Sequence, residues 1–240
     1  MIKFFRKIRQ NLLSENKFRK YLIYAIGEII LVVIGILIAL QIGDLNEERK
    51  KQDKGKELKQ ALKIELKADL ESLYLDLKYI EDELSTNISY SERLSKETST
   101  LDTLVKIVRY EYIIGLNNVK ELNKTTFKSL ESTGTINLIG NELSKNVQEY
   151  YLYRDYTKEI FSINLGIYFN LLEPFMLKYP NQTFALKGKL QDEYWKSQNL
   201  GTLNGMFNGL LTVRLHNLNV QKRYVNETID RTKSLINRLK

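Results

Sequence analysis

From Leu22 to Ile42 the chain is apolar on nearly every side, with Glu28 as its one formal charge. At about 1.5 Å of rise per residue the run spans about 31 Å as a helix, the thickness of a bilayer's hydrocarbon layer. A helix is also the form in which a single segment satisfies all its own peptide groups in lipid. The pattern therefore predicts one transmembrane helix over residues 21–43. A cleaved signal peptide is the main competing reading. The run is long for that, starts only after twenty residues, and is followed by no clear small-x-small cleavage site.

Beyond Gly43 the pattern changes. Leu66, Leu70, Leu73, Leu77, Ile80 and Leu84 recur at intervals of four and three, the geometry of a heptad seam. No proline interrupts residues 44–90, so the spacing predicts a helical stalk and first bundle helix over 44–97, with Gly55 its weakest point. The seam needs an apolar neighbour, supplied either by another subunit, as in a coiled coil, or by later helices of the same chain. Those later helices make up residues 98–240. One is expected from Leu101 to Ile114, stopped by GLNN (residues 115–118), and one from Val119 to Ser132. A third is expected from Thr135, as its cap, to Leu172. Pro174 and Pro180 then mark a break, and the chain resumes near Phe184. The longest stripe follows, Leu203, Phe207, Leu210, Arg214, Leu218, Gln221, Val225, Ile229, Thr232, Ile236 and Leu239, with Arg214 snorkelling at its edge. Segments of strand-like alternation bounded by hairpin turns are largely absent, and the fold class is all-α.

Charge sharpens the topology. The net charge of +8 is concentrated at the amino terminus, where residues 1–20 hold seven Lys or Arg and one acid. That suits a basic cytoplasmic or interfacial segment beside an anionic leaflet better than a nucleic-acid surface. Ile2, Phe5, Ile8 and Leu12 fall near one side of such a segment if it is helical, with membrane lipids as its partner; a short disordered tail is the plainer alternative. The flank at 44–60 carries six bases and five acids, so the positive-inside balance favours a cytoplasmic amino terminus only modestly.

Within the span, Tyr24, Glu28, Val32, Gly35 and Ala39 share one helical stripe. Gly35 and Ala39 form a small-xxx-small pair that lets another helix approach, and Glu28 offers a hydrogen bond across that contact. The expectation is a homo-oligomer or a membrane-protein partner; a lone neutral carboxylic acid near a water defect is the bland alternative.

Candidate chemistry is sparse. The chain has no cysteine and one histidine, His216, so the usual zinc constellations are unavailable and no cofactor is implied. No phosphate loop or dinucleotide fingerprint occurs, and the chain is not read as an enzyme. Glu65, Asp69 and Asp76 lie close in helical projection, amid lysines that mark them as a solvated face. In YYLYRDY, residues 150–156, the group Tyr150, Tyr153, Arg154 and Tyr156 suggests a protein-contact surface, although burial of part of it in a bundle core is the commoner use of such residues. Trp195 reads as a packing anchor.

The run YAIGEIILVVIGILIALQI followed by NEERK resembles the amino-terminal signature of an uncharacterised Bacteroidota family of small single-pass membrane proteins. Gly27, Glu28, Gly35 and Ala39 stand at the matching positions, and the likeness extends toward residues 127–151. Where many relatives carry Asn-Asn-Trp, this chain has Gly43, Asp44 and Leu45, so no aromatic interfacial anchor is carried over. The resemblance implies a bacterial inner-membrane location with the large carboxy-terminal region in the periplasm, and it brings no activity. Two functions are therefore expected: a membrane-anchored interaction or scaffold protein, or a membrane sensor or regulator that signals through a partner.

Overall fold

The computed structural model describes residues 18–115, 119–182 and 187–239. The basic amino-terminal segment, most of GLNN and the resumption point at Phe184 lie outside them. Among the described residues every regular element is helical: α1 (Phe18–Leu94), α2 (Leu101–Lys106), α3 (Thr125–Ser132), α4 (Asn141–Lys178), α5 (Lys189–Lys196) and α6 (Leu200–Arg238). A π turn, Ile107–Glu111, follows α2, and a 3₁₀ turn, Thr135–Ile139, precedes α4. Two helices, α1 and α4, are long and apolar enough to cross a membrane.

The chain divides into two compact units, Met1–Glu57 and Leu58–Lys240. In the first, the described residues belong to α1, and its large apolar side chains from Leu22 to Leu45 are 46–68% exposed. Gly55 does not break α1, which is continuous through it.

The second unit is built around the rest of α1, α4 and α6. The pairs Tyr150–Thr232, Asn164–Asn217 and Phe175–Phe207 descend α6 as they climb α4, so these two helices are antiparallel. Three apolar clusters follow one another along them. Leu62 and Leu66 meet Val147, Tyr151 and Leu235; Leu73 and Ile80 meet Phe161, Leu218 and Val225; Tyr90 joins Tyr168, Phe175, Trp195 and Phe207. The leucine seam of α1 thus finds its neighbour within its own chain. Leu66, Leu73, Ile80 and Leu84 are buried, while Leu70 and Leu77 pack at the margin.

Several boundaries differ from the sequence expectation, each for a local reason. The segment from Val119 to Lys124 is not helical, because its backbone bonds to α1 instead. Thr135 opens the 3₁₀ turn after Gly134, whose φ is +65°, and α4 begins only after Gly140 at φ +99°. Both glycines hold backbone conformations that L side chains rarely adopt. Helix α4 runs through Pro174 to Lys178. A proline inside a helix costs about 3 kcal/mol; here it sits on the exposed side, and burial of Tyr168, Leu172 and Phe175 offsets the loss.

Candidate functional site

The row of carboxylates on α1 departs most from expectation. Glu65, Asp69 and Asp76 are buried, not solvated, and they hold the extended segment 119–124 against the helix. That segment has no helical ladder of its own, so its N–H groups need other acceptors. Lys120 N–H donates to Asp76 Oδ2 at 3.1 Å and Asn123 N–H to Asp69 Oδ1 at 2.9 Å. Thr126 N–H, in the first turn of α3, donates to Glu65 Oε2 at 2.7 Å. A carboxylate from a distant helix thereby caps α3, assisted by Asn123 Oδ1, which accepts from Thr125 N–H at 2.9 Å.

Arg154 of α4 ties the arrangement together. Its Nη1 donates to Asp69 Oδ2 and to the Asn123 carbonyl, both at 3.0 Å, and its guanidinium lies 4.9 Å from the Tyr151 ring centre. Tyr151 donates its hydroxyl to Glu65 Oε1 at 2.8 Å. Burial raises the Asp69 carboxyl above its ordinary range, against the pull of the Asn123 N–H and the Arg154 charge. Asp76 is likewise raised by burial, opposed by the Lys120 N–H and ammonium. Burial foremost, then donation to Glu65, pushes the Tyr151 phenol far above its usual value. Each of the three acids is already engaged with a donor, so a cation bound there would have to displace the 119–124 strap. Among the described residues no group of three or more His, Cys, Asp or Glu is placed to hold a metal.

The tyrosine-arginine group on α4 does not form one surface. Tyr150 and Arg154 are buried, Tyr150 donating to Thr232 Oγ1 at 2.8 Å because the Thr232 hydroxyl donates to the Thr228 carbonyl. Tyr153 and Tyr156 face the other way, around Tyr224. Tyr153 donates to Glu227 Oε2 at 2.5 Å under the guanidinium of Arg231, and Tyr156 is 51% exposed.

Arg214 does not snorkel at the edge of α6. It is 1% exposed and paired with Glu83, its Nε donating to Glu83 Oε1 at 2.7 Å, with its guanidinium 5.0 Å from the Tyr168 ring centre. Among the described residues, Glu83 Oε2 and Arg214 Nη1, both buried, find no hydrogen-bond partner. Gly115 packs so closely here that a Cβ would overlap the Glu83 carboxylate and meet the Arg214 guanidinium. Beside the pair, the Tyr112 and Tyr168 hydroxyls lie 2.9 Å apart. His216, two residues on, is exposed, and Trp195 is buried in the core.

In the first unit the stripe Tyr24, Glu28, Val32, Gly35 and Ala39 lies along α1, with Tyr24, Val32, Gly35 and Ala39 exposed and Glu28 half-exposed. Among the described residues, no atom outside the helix comes within 4 Å of where a Cβ on Gly35 would stand.

A cleft of about 280 Å³ opens between the strap, α1, α4 and α6. Leu73, Leu122, Phe161 and Val225 form its apolar wall, and Lys120, Lys124 and Lys158 stand around it. Two of these lysines clasp the strap to α4: Lys124 Nζ lies 2.5 Å from Asp155 Oδ2, and Lys158 Nζ lies 2.6 Å from Glu121 Oε1. The cleft carries no signal at fixed local spacing, and comparison with protein-family models, with curated proteins and with solved structures gives no match to this chain.

Proposed function

We propose that the protein is a membrane-anchored interaction or scaffold protein, its amino-terminal apolar helix held in a bacterial inner membrane and its helical body in the periplasm. The observation that carries this reading is the uncovered apolar surface of α1 from Leu22 to Leu45, against a second unit whose seam is closed by its own helices. In water, sixteen large apolar side chains each exposing nearly half or more of their surface form a patch far beyond what a soluble monomer carries. In hydrocarbon the same surface needs no cover. The stripe containing Glu28, Gly35 and Ala39 supports a helix neighbour in the membrane, either a second copy or another membrane protein.

The test uses the chain's lack of cysteine, which makes single introduced cysteines clean reporters. Ser14→Cys and Asn146→Cys are to be labelled with a membrane-impermeant maleimide in cells with a permeabilised outer membrane. The expected result is labelling at position 146 and none at 14 until the inner membrane is opened. Labelling of both before opening, or recovery of the chain in the soluble fraction, overturns the reading. Crosslinking mass spectrometry on the solubilised protein then examines the interaction itself: recurrent contacts to one partner or to a second copy support a scaffold, and scattered contacts alone argue against it.

A further inference from the structure

The cleft under the 119–124 strap is open to solvent and is left unfilled by the packing of the bundle. Its wall of Leu73, Leu122, Phe161 and Val225 is apolar, and about 280 Å³ equals about nine waters at about 30 Å³ each. That is room for one short chain of about ten heavy atoms, and too little for a two-chain lipid.

The charges at the cleft limit what such a chain carries at its head. Of its three ammonium groups, Lys124 is paired with Asp155 and Lys158 with Glu121. Lys120 is exposed; among the described residues no carboxylate lies within salt-bridge distance of it, and it feels Asp76 only as a more distant charge. Arg154, deeper in the lining, is committed to Asp69 and the Asn123 carbonyl. Lys120 is thus the one ammonium at the mouth that no described carboxylate pairs directly, and it is the group an anionic head would meet there, whereas a cation would meet only repulsion from it. The strap also has the means to admit a guest, because its two clasps are ion pairs at the surface, where water and salt screen them.

We propose that this cleft binds a single-chain, medium-length carboxylate, with the alkyl part against Phe161 and Val225 and the carboxylate at Lys120. The site lies within the second unit and does not depend on the membrane reading of the first.

The experiment uses the full chain in nanodiscs, with Leu122→Cys as the reporter on the cleft wall and Lys145→Cys as a distant control. Alkylation by N-ethylmaleimide is followed by mass spectrometry with octanoate, octylammonium, octanol or acetate present. Octanoate at about ten times its Kd slows alkylation at position 122 about tenfold and leaves position 145 unchanged. Octylammonium, octanol and acetate slow it less than about twofold at the same concentration. Lys120→Gln removes the octanoate effect. If Leu122→Cys alters the melting curve, Thr228→Cys on the opposite wall replaces it. Equal protection by octanol or octylammonium, protection that survives Lys120→Gln, equal slowing at position 145, or no protection at either wall position overturns the proposal.

Discussion

One helix, α1, contains two kinds of surface. Between Leu22 and Leu45 it is apolar on nearly every side, and its large apolar side chains stand exposed. Between Leu62 and Leu84 apolar side chains occupy one seam and are buried, and a row of acids beside that seam is buried with them. The difference shows what hydrophobicity does at each place. An all-round apolar helix suits a solvent that makes no polar demands, whereas a seam requires a partner and leaves the remaining surface for water. Polarity is no simple marker of exposure in the second case, since Glu65, Asp69 and Asp76 are buried with their oxygens accepting from the backbone of Lys120, Asn123 and Thr126.

The most severe way to break this contrast is to place charge in the middle of the first surface. Leu31→Lys combined with Ile34→Lys costs about 5–7 kcal/mol of insertion free energy, at about 2.5–3.5 kcal/mol for each lysine near a helix centre. The expected outcome is loss of the chain from the carbonate-resistant membrane pellet. The melting of the 58–240 unit stays unchanged, because neither residue belongs to its core clusters. A double variant that remains in the pellet would show that these residues do not sit in hydrocarbon.

Next in size is Arg154→Leu, which leaves Asp69 buried without its cationic partner and removes the donor to the Asn123 carbonyl. Breaking a buried pair from one side costs about 3–5 kcal/mol. For a unit of this size the melting temperature falls by about 10 °C, at about 2–4 °C per kcal/mol. Calorimetry on the full chain checks this, and hydrogen exchange at the amides of Lys120 and Asn123 rises at the same time. An unchanged melt would mean that the strap is held by something other than the Asp69–Arg154 pair.

How much of this was legible in the chain depended on whether the cause was local. The stripe on α6 from Leu203 to Leu239 is buried at every predicted position except Ile236, whose place is taken by Leu235. The seam on α1 was equally legible, although spacing alone leaves its partner undetermined. The strap was not legible, because its acceptors lie 44, 54 and 61 residues earlier in the chain. One signal did exist. At about 100° per residue Glu65, Asp69 and Asp76 fall within about 40° of one another beside the seam, a narrower row than a solvated face shows. Arg214 was misplaced for a related reason: its partner, Glu83, lies 131 residues away on another helix. The group at Tyr150 to Tyr156 was legible as aromatic and cationic, but which members turn inward follows from the packing of α4 on α1 and α6.

Gly115→Ala has a smaller effect and bears on the second surface alone. The residue's backbone does not require glycine, since the positive-φ glycines are Gly134, Gly140 and Gly188. The added methyl instead meets the Glu83–Arg214 pair. Overpacking of this kind costs about 1–3 kcal/mol. The expected loss in thermal stability is accompanied by a change in the environment of Tyr112 and Tyr168, read as near-ultraviolet circular dichroism. Equal destabilisation by Gly134→Ala would be strain from φ +65° and would leave that signal alone.

The smallest effect concerns the acid whose ionisation the fold supports least. Asp69 has Arg154 against it, whereas Asp76 has the Lys120 N–H and a more distant ammonium. Asn at position 76 still accepts that N–H and removes the burden of burying a charge, so Asp76→Asn is expected to match or exceed the parent at pH 7, by up to about 1 kcal/mol. The sign of its pH dependence follows from the raised carboxyl. The folded chain binds a proton there more readily than the unfolded chain does, so the parent gains stability as pH falls through the raised value toward the ordinary carboxylate range. The variant lacks that gain, and its advantage shrinks over the same window. Glu111 acts in the opposite sense. Arg93 lowers its carboxyl, so its contribution is present above the ordinary carboxylate range and is lost as pH falls through the depressed value. Measuring Asp76→Asn against the parent in a Glu111→Gln background separates the two. A difference between the chains that does not vary with pH would mean that Asp76 is not burdened by burial.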